Sequence, residues 1–140
     1  MTGLTDIRGQ HTGWARTVLQ YAHTTGELVA EAKRPGFTAQ SWAPLAALVD
    51  TENFHRVGAF KEEMDWDAYV AFLTGWATTS EWECTFKRIT ELDGLVFLEL
   101  EERSVVGDFR SVVNSLSVYE FGSDDRIRRL DLYLQMAHPA

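Results

Sequence analysis

Four polar side chains stand out because each alternates with apolar neighbours. Glu102 closes the run Val96, Leu98, Leu100, Glu102, and Asn114 sits between Val112 and Leu116. Arg88 follows Trp82, Cys84 and Phe86 at the same spacing, and Arg56 alternates with Phe54. Alternate residues of an extended chain share a face, so each polar group is expected to point into whatever the apolar set covers. A carboxyl on an apolar wall is suited to general acid/base work. A guanidinium can hold the two oxygens of a carboxylate, and an inward amide can polarise a ligand oxygen. The chemistry this implies is proton transfer, with Glu102 as acid/base and Arg56 or Asn114 stabilising negative charge.

Each residue also has a plainer reading. Glu102 lies near a strand end, where water, Arg103 or Arg110 could satisfy it. Arg88 could bury its stem and keep its head wet, and Asn114 could bond a neighbouring side chain. His55 precedes Arg56 and so points the opposite way, while His11, His23 and His138 read as surface or terminal residues. The tryptophans at 14, 42, 66, 76 and 82, with Tyr21 and Phe86, suit a flat hydrophobic ligand, yet aromatics at helical spacing build core first. The expected pocket wall is Trp42, Phe54, Trp66, Trp82, Phe86, Arg88, Leu98, Leu100, Leu116, Leu130 and Leu132. Cys84 reads as a small buried hydrophobe. No metal-ligand spacing, phosphate loop or nucleophile elbow appears, so no metal or cofactor is expected.

The elements that must position these groups follow from periodicity. Glu81 to Met136 reads as a four-strand antiparallel meander, cut by Asp93-Gly94, Gly107-Asp108 and Gly122-Ser123-Asp124-Asp125. Such pairs tolerate positive φ and mark hairpins. The more apolar parity of each run is placed inward: Trp82, Cys84, Phe86 and Arg88; Val96, Leu98, Leu100 and Glu102; Val112, Asn114, Leu116 and Val118; Leu130, Leu132, Leu134 and Met136. Phe97, Val113, Tyr119 and Tyr133 are then expected outside, on a mixed face that suits a partner.

Upstream, Trp14, Val18, Tyr21, Leu28 and Val29 form one helical stripe over Thr12 to Ala32, with Thr12 as a candidate cap and a kink conceivable at Gly26. A short helix is expected over Thr38 to Val49, with Ser41 as cap because Pro44 is tolerated in a first turn. Asp50 to Phe60 reads as a strand whose inward parity is open, and Asp65 caps a helix over Trp66 to Thr78. Helices first and long strands later is an α+β order.

Bulk properties agree. The 140 residues are read as one domain, 1–140, with 45% hydrophobic, 12% aromatic and 24% charged residues. A net charge of −8 argues against nucleic acid or an anionic membrane as partner. One cysteine excludes an intrachain disulfide. Met1 to Asp6 lacks a basic region followed by an apolar core, and the apolar stretch around Trp42 to Val49 is far too short to span a bilayer. A cytoplasmic protein is the expectation.

Three segments carry a family resemblance: Phe54-His55-Arg56-Val57-Gly58, Asn114-Ser115-Leu116-Ser117-Val118-Tyr119-Glu120-Phe121, and Arg126-Ile127-Arg128-Arg129-Leu130-Asp131-Leu132-Tyr133. With the element order, they resemble the SnoaL-like proteins of the nuclear transport factor 2-like superfamily across nearly the whole chain. The resemblance implies a cystatin-like α+β barrel, a cone-shaped, mostly antiparallel sheet packed against three helices from the N-terminal half. It also implies a homodimer through the outer sheet face. The superfamily spans ketosteroid isomerases, scytalone dehydratases, limonene epoxide hydrolases, polyketide cyclases and binding modules, so fold alone does not select an activity. The epoxide hydrolase Arg, Asp and second Asp look like Leu100, Glu102 and Leu132 in this chain, which keeps one acid of the set; Asp131 is one residue out of phase. Two functions are carried forward: binding of a small hydrophobic molecule, and cofactor-free isomerase, dehydratase or cyclase chemistry on a hydrophobic oxygenated substrate.

Overall fold

The computed structural model describes residues 6–137. His138 and the leader reading of the first five residues therefore lie outside the described residues. Three helices pack on a curved, open sheet of six strands. The helices are α1 (Gly13–Glu31), α2 (Ala43–Ala46) and α3 (Trp66–Thr79); the strands are β1 (His55–Val57), β2 (Glu63–Met64), β3 (Ser80–Leu92), β4 (Leu95–Val106), β5 (Phe109–Phe121) and β6 (Ile127–Met136). Strand order is β2-β1-β6-β5-β4-β3. Among the described strands only the β1–β6 pair runs parallel. This is the α+β architecture expected, with the sheet left unclosed.

The hairpins form where the turn residues allow them. Asp93 and Gly94 have φ of 44° and 82°, and Gly107 and Asp125 have 60° and 59°. That region strongly favours Gly and tolerates Asp. The β4–β5 loop is so tight that Val106 pairs directly with Phe109.

Helix α1 runs unbroken through Gly26, burying Val18, Leu19, Tyr21, Ala22, Leu28 and Val29. Thr12 makes no capping bond. The cap comes from the sheet: Glu91 Oε1 accepts from the Ala15 amide at 2.9 Å. The expected helix over Thr38 to Val49 is instead a 3-10 turn, Ala39–Trp42, running into a single α turn. Pro44 explains the split, since its ring crowds the carbonyl of residue i−4 and it donates no amide. Thr38, not Ser41, starts this segment; its amide donates to Ser41 Oγ at 3.0 Å. Asp65 caps α3 as expected, accepting from the Ala68 amide at 2.8 Å.

The strand expected over Asp50 to Phe60 shrinks to His55–Val57. The chain reverses after it, the Lys61 amide donating to the Gly58 carbonyl and Lys61 taking φ 65°. Phe54 and Arg56 are the buried parity of this strand.

Register settles the faces, and it overturns two assignments. Leu98, Leu100 and Glu102 pair with Ser117, Ser115 and Val113, and directly paired residues lie on the same face. The inward set of β5 is therefore Val113, Ser115, Ser117 and Tyr119. Asn114, Leu116, Val112 and Val118 point outward, opposite to expectation, and Tyr119 is 4% exposed inside. On β3 the register shifts between Phe86 and Arg88. The extra residue of a bulge reverses parity beyond it. Arg88 consequently leaves the inner face and binds Glu99, Nη2 to Oε1 at 2.8 Å, while Glu91 turns inward to meet α1.

The core lies between helices and sheet, with Val18, Leu19, Trp42, Leu45, Val96, Leu98 and Ile127 almost fully enclosed. Lys33 fastens the C-terminal ends of α1 and α3, its Nζ donating to the carbonyls of Val29 at 2.8 Å, Ala77 at 2.6 Å, and Ser80.

Candidate functional site

A cavity of about 210 Å3 opens between α1, α3 and the concave face of the sheet. The long strands curl away from the helices faster than side chains fill the gap, and Ser117 leaves room where a leucine would have closed it. Nine of the residues singled out by sequence reach the cavity: Tyr21, Arg56, Trp76, Trp82, Leu98, Leu100, Glu102, Leu130 and Leu132. The others do not, each for a structural reason. Asn114 and Leu116 are on the convex face, where the Asn114 amide donates to Gln135 Oε1 at 3.3 Å. Arg88 is on that face through the bulge.

Trp42 is enclosed beside α3, its indole N–H donating to Thr74 Oγ1 at 2.9 Å. Phe54 and Trp66 pack on each other with ring centroids 5.3 Å apart. Phe86 keeps the inward parity but packs against core rather than lining the cavity.

Sequence reasoning missed Tyr69, Phe72, Ser117, Thr25 and Tyr119 as wall residues. Tyr119 and Ser117 were recoverable. Counting back across the two-residue Gly107-Asp108 loop from inward Leu98 lands on Ser117.

The polar groups of the cavity fall at separate places. Glu102 Oε1 accepts from the Trp82 indole at 2.8 Å, which fixes the carboxyl's orientation. Trp82 in turn meets Trp76 of α3 edge-on at 6.1 Å. Arg56, 8% exposed, lies with its guanidinium carbon 4.7 Å from the Tyr69 ring centre and 5.9 Å from that of Phe72. Its Nε has no hydrogen-bond partner. Cation–π contact returns about 2 kcal/mol when desolvated, against several kcal/mol for taking a guanidinium out of water. Ring contact alone does not offset that cost, and the Glu62 carboxylate, whose Oε1 lies near Nη1 at Gly58, contributes as well.

Around Arg56 stand phenols. The Tyr21 hydroxyl sits beside that of Tyr69 without a hydrogen bond of good geometry. Burial pushes the Tyr21 and Tyr119 phenols well above their ordinary range, with neighbouring phenols adding to the effect. Both stay protonated and can donate.

His55 is on the other parity, 2.7 Å from Glu63 and partly exposed. Among the described residues no cluster of three or more His, Cys, Asp or Glu side chains is arranged to hold a metal. None of the described helices is long and apolar enough to cross a membrane.

Neither a family model nor a curated protein matches the chain. Solved structures do, at the level of fold. An NTF2-like protein of unknown function from Cytophaga hutchinsonii superposes with a TM-score of 0.63 at 11% identity, covering 89% of this chain and 92% of its own. An epoxide hydrolase of the LEH-like type from M. tuberculosis gives 0.58 at 16% identity, covering 80% and 84%. A protein from Jannaschia sp. CCS1 described as a SnoaL-like polyketide cyclase gives 0.58 at 11% identity, covering 83% and 85%. The fold is NTF2-like. These neighbours carry different descriptions, one of them of unknown function, so the shared fold leaves this chain's chemistry to its own side chains.

Proposed function

We propose that this NTF2-like chain binds a small hydrophobic, oxygenated molecule in the cavity between α1, α3 and the sheet. Leu98, Leu100, Leu130 and Leu132 hold its body, and Trp82 keeps Glu102 oriented toward it. The observation that carries this reading is the arrival of one carboxyl and one guanidinium, Glu102 and Arg56, in a cavity otherwise walled by leucines and aromatics. Ligand sites commonly pair an apolar wall with a few placed polar groups. In the catalytic form of this proposal Glu102 takes a proton from carbon or oxygen of the substrate and returns it elsewhere, as in an isomerase, dehydratase or cyclase. Arg56, elsewhere on the cavity wall, holds and orients a polar end of the substrate.

The test has two stages. Mass spectrometry of molecules released from the purified native protein identifies what the cavity holds. Turnover and affinity for that molecule are then measured in Glu102→Gln. Loss of turnover with retained affinity supports proton transfer; unchanged turnover rejects it, and an apolar cavity-filling change, Ser117→Leu, that leaves affinity intact rejects the cavity itself.

A homodimer through the convex face belongs to the same proposal. Its support is the parity of β5, which sends Val112, Leu116 and Val118 outward beside Phe97 and Tyr133. Apolar side chains on an open sheet face of this kind suit a partner of the same composition. A cytoplasmic setting, consistent with the single cysteine, completes the reading.

A further inference from the structure

We infer that the molecule this cavity takes is an anion, a small apolar carboxylic acid whose carboxylate seats on Arg56 among the phenols of Tyr21 and Tyr69. The inference rests on the cavity being a ligand site and adds the chemical class of the ligand.

Three observations converge on it. The first is the state of Arg56. Arg56 is 8% exposed and its Nε meets no acceptor, so a buried guanidinium keeps an unsatisfied donor. Aromatic rings cover it, with Tyr69 at 4.7 Å, but rings offer no acceptor in the plane of its N–H groups. A carboxylate supplies two, in matching geometry.

The second is a surplus of donors. Beside the guanidinium, the buried Tyr21 hydroxyl is also without a partner. An amine ligand would bring only further donors, and an alcohol would bring its acceptor oxygen with one more donor attached. An acceptor-only group resolves the imbalance at once.

The third is where the protein's own acids stand. Glu102 is on β4, three strands away from β1 in the sheet order, and is engaged by Trp82. It does not pair with Arg56. Glu62 comes near the Nη1 end of the guanidinium: its Oε1 and Arg56 Nη1 lie 1.6 and 2.9 Å from where a Gly58 side chain would begin. The Nε of this cavity-lining residue, which has no acceptor, is left for a ligand.

The leucine wall demands an apolar body behind the carboxylate. A volume of about 210 Å3 limits its size, since it is below the roughly 300–1,000 Å3 of sites for drug-sized ligands. Glu102, at the far end, then faces the part of the molecule remote from its charge, where proton transfer would not compete with the anchored group.

The experiment is calorimetric titration of the intact protein with four probes of one shape: phenylacetate, phenylacetamide, 2-phenylethanol and phenethylamine, with acetate and chloride as body-free anions. The expected result is phenylacetate tighter than the three other aromatic probes by at least about tenfold, and tighter than acetate or chloride by a similar factor. Arg56→Met should erase that preference, and the isosteric Tyr21→Phe, which keeps the packing, should weaken phenylacetate alone by several-fold. Equal or better binding of the amide, alcohol or amine overturns the anion inference and leaves the cavity reading standing. So does a carboxylate preference that survives in Arg56→Met. Binding of none of the aromatic probes overturns both.

Discussion

Glu91 Oε1 lies 2.9 Å from the amide nitrogen of Ala15, so a carboxylate from the longest edge strand closes the first turn of the long N-terminal helix. The contact exists only because the register slips once on β3, between Phe86 and Arg88. Without that extra residue Glu91 would face solvent and Arg88 the cavity. One irregularity thus removes a cation from the pocket wall and ties helix to sheet. A carboxylate at a helix N-terminus both satisfies an orphan amide and meets the positive end of the helix dipole.

Glu91→Ala should therefore destabilise the protein by about 0.5–2 kcal/mol, the range for loss of a helix cap. Glu91→Gln, which keeps an acceptor but loses the charge, should lose less. Urea unfolding of the two variants checks the order; equal stability of Ala and wild type would show that the bond carries no weight.

How much of this was legible in the sequence follows the same physics. The hairpins were, because Asp93-Gly94 and Gly107-Asp108 are residues that accept positive φ, and the inward leucines of β4 and β6 were, because alternation and burial agree there. On β5 they disagree: Val112, Leu116 and Val118 are its more apolar set and face outward, while Ser117 and Tyr119 line the cavity. Parity ranked by apolarity assumes that the outer face is the wet one. The pairing register does not depend on that assumption, and it alone would have moved Asn114 outside. The bulge at Lys87 left no mark, since Lys87 is an ordinary exposed strand residue. The helix over Thr38 to Val49 and the strand over Asp50 to Phe60 were overextended because apolar periodicity shows neither the change from 3-10 to α bonding at Pro44 nor the reversal at Gly58.

Cys84 gives a pH-dependent prediction at the alkaline end. Burial pushes its thiol from 9.0 up to about 12, and Glu102 adds to the shift. A folded-state value above the unfolded one means the unfolded chain releases its proton first, so stability falls as pH rises from about 9 toward 12. Cys84→Ala should flatten that part of the stability profile. The thiolate is the reactive form, so iodoacetamide at pH 8 should label the native protein far more slowly than the urea-unfolded chain; equal rates would contradict the burial of this side chain.

His23 governs the acid side with the opposite sign. It is 7% exposed, and burial first, then the charge of Arg8, hold it below its usual 6.5, while Asp6, 3.8 Å away, and Glu27 pull the other way. The folded state therefore resists taking the proton. Below about 6.5 the unfolded chain binds it more readily, so the stability present at neutral pH is lost as pH falls through that value and on to the lower folded one. Thermal unfolding between pH 7.5 and 5 should show the decline in wild type. His23→Phe, of similar shape and without a titrating group, should remove that share of it. A decline of equal slope in the variant would assign the effect to other groups.

The convex face supplies the last test, and it separates packing from partnership. Val112 and Tyr133 are 55% and 58% exposed, so neither contributes much to the core. Exposed substitutions away from special features usually shift stability by no more than about 0.5 kcal/mol. Val112→Lys and Tyr133→Lys should thus leave the urea midpoint nearly unchanged. If two copies meet through this face, each change places a charge on both sides of a two-fold contact, because an isologous interface repeats every substitution. The doubled lysines repel as well as lose apolar area, so sedimentation equilibrium should move from dimer to monomer by at least about tenfold in dissociation constant. Variants that remain dimeric at the wild-type concentration would place the contact elsewhere. A wild type that sediments as a monomer would leave Phe97, Leu116 and Val118 as an open apolar strip facing water.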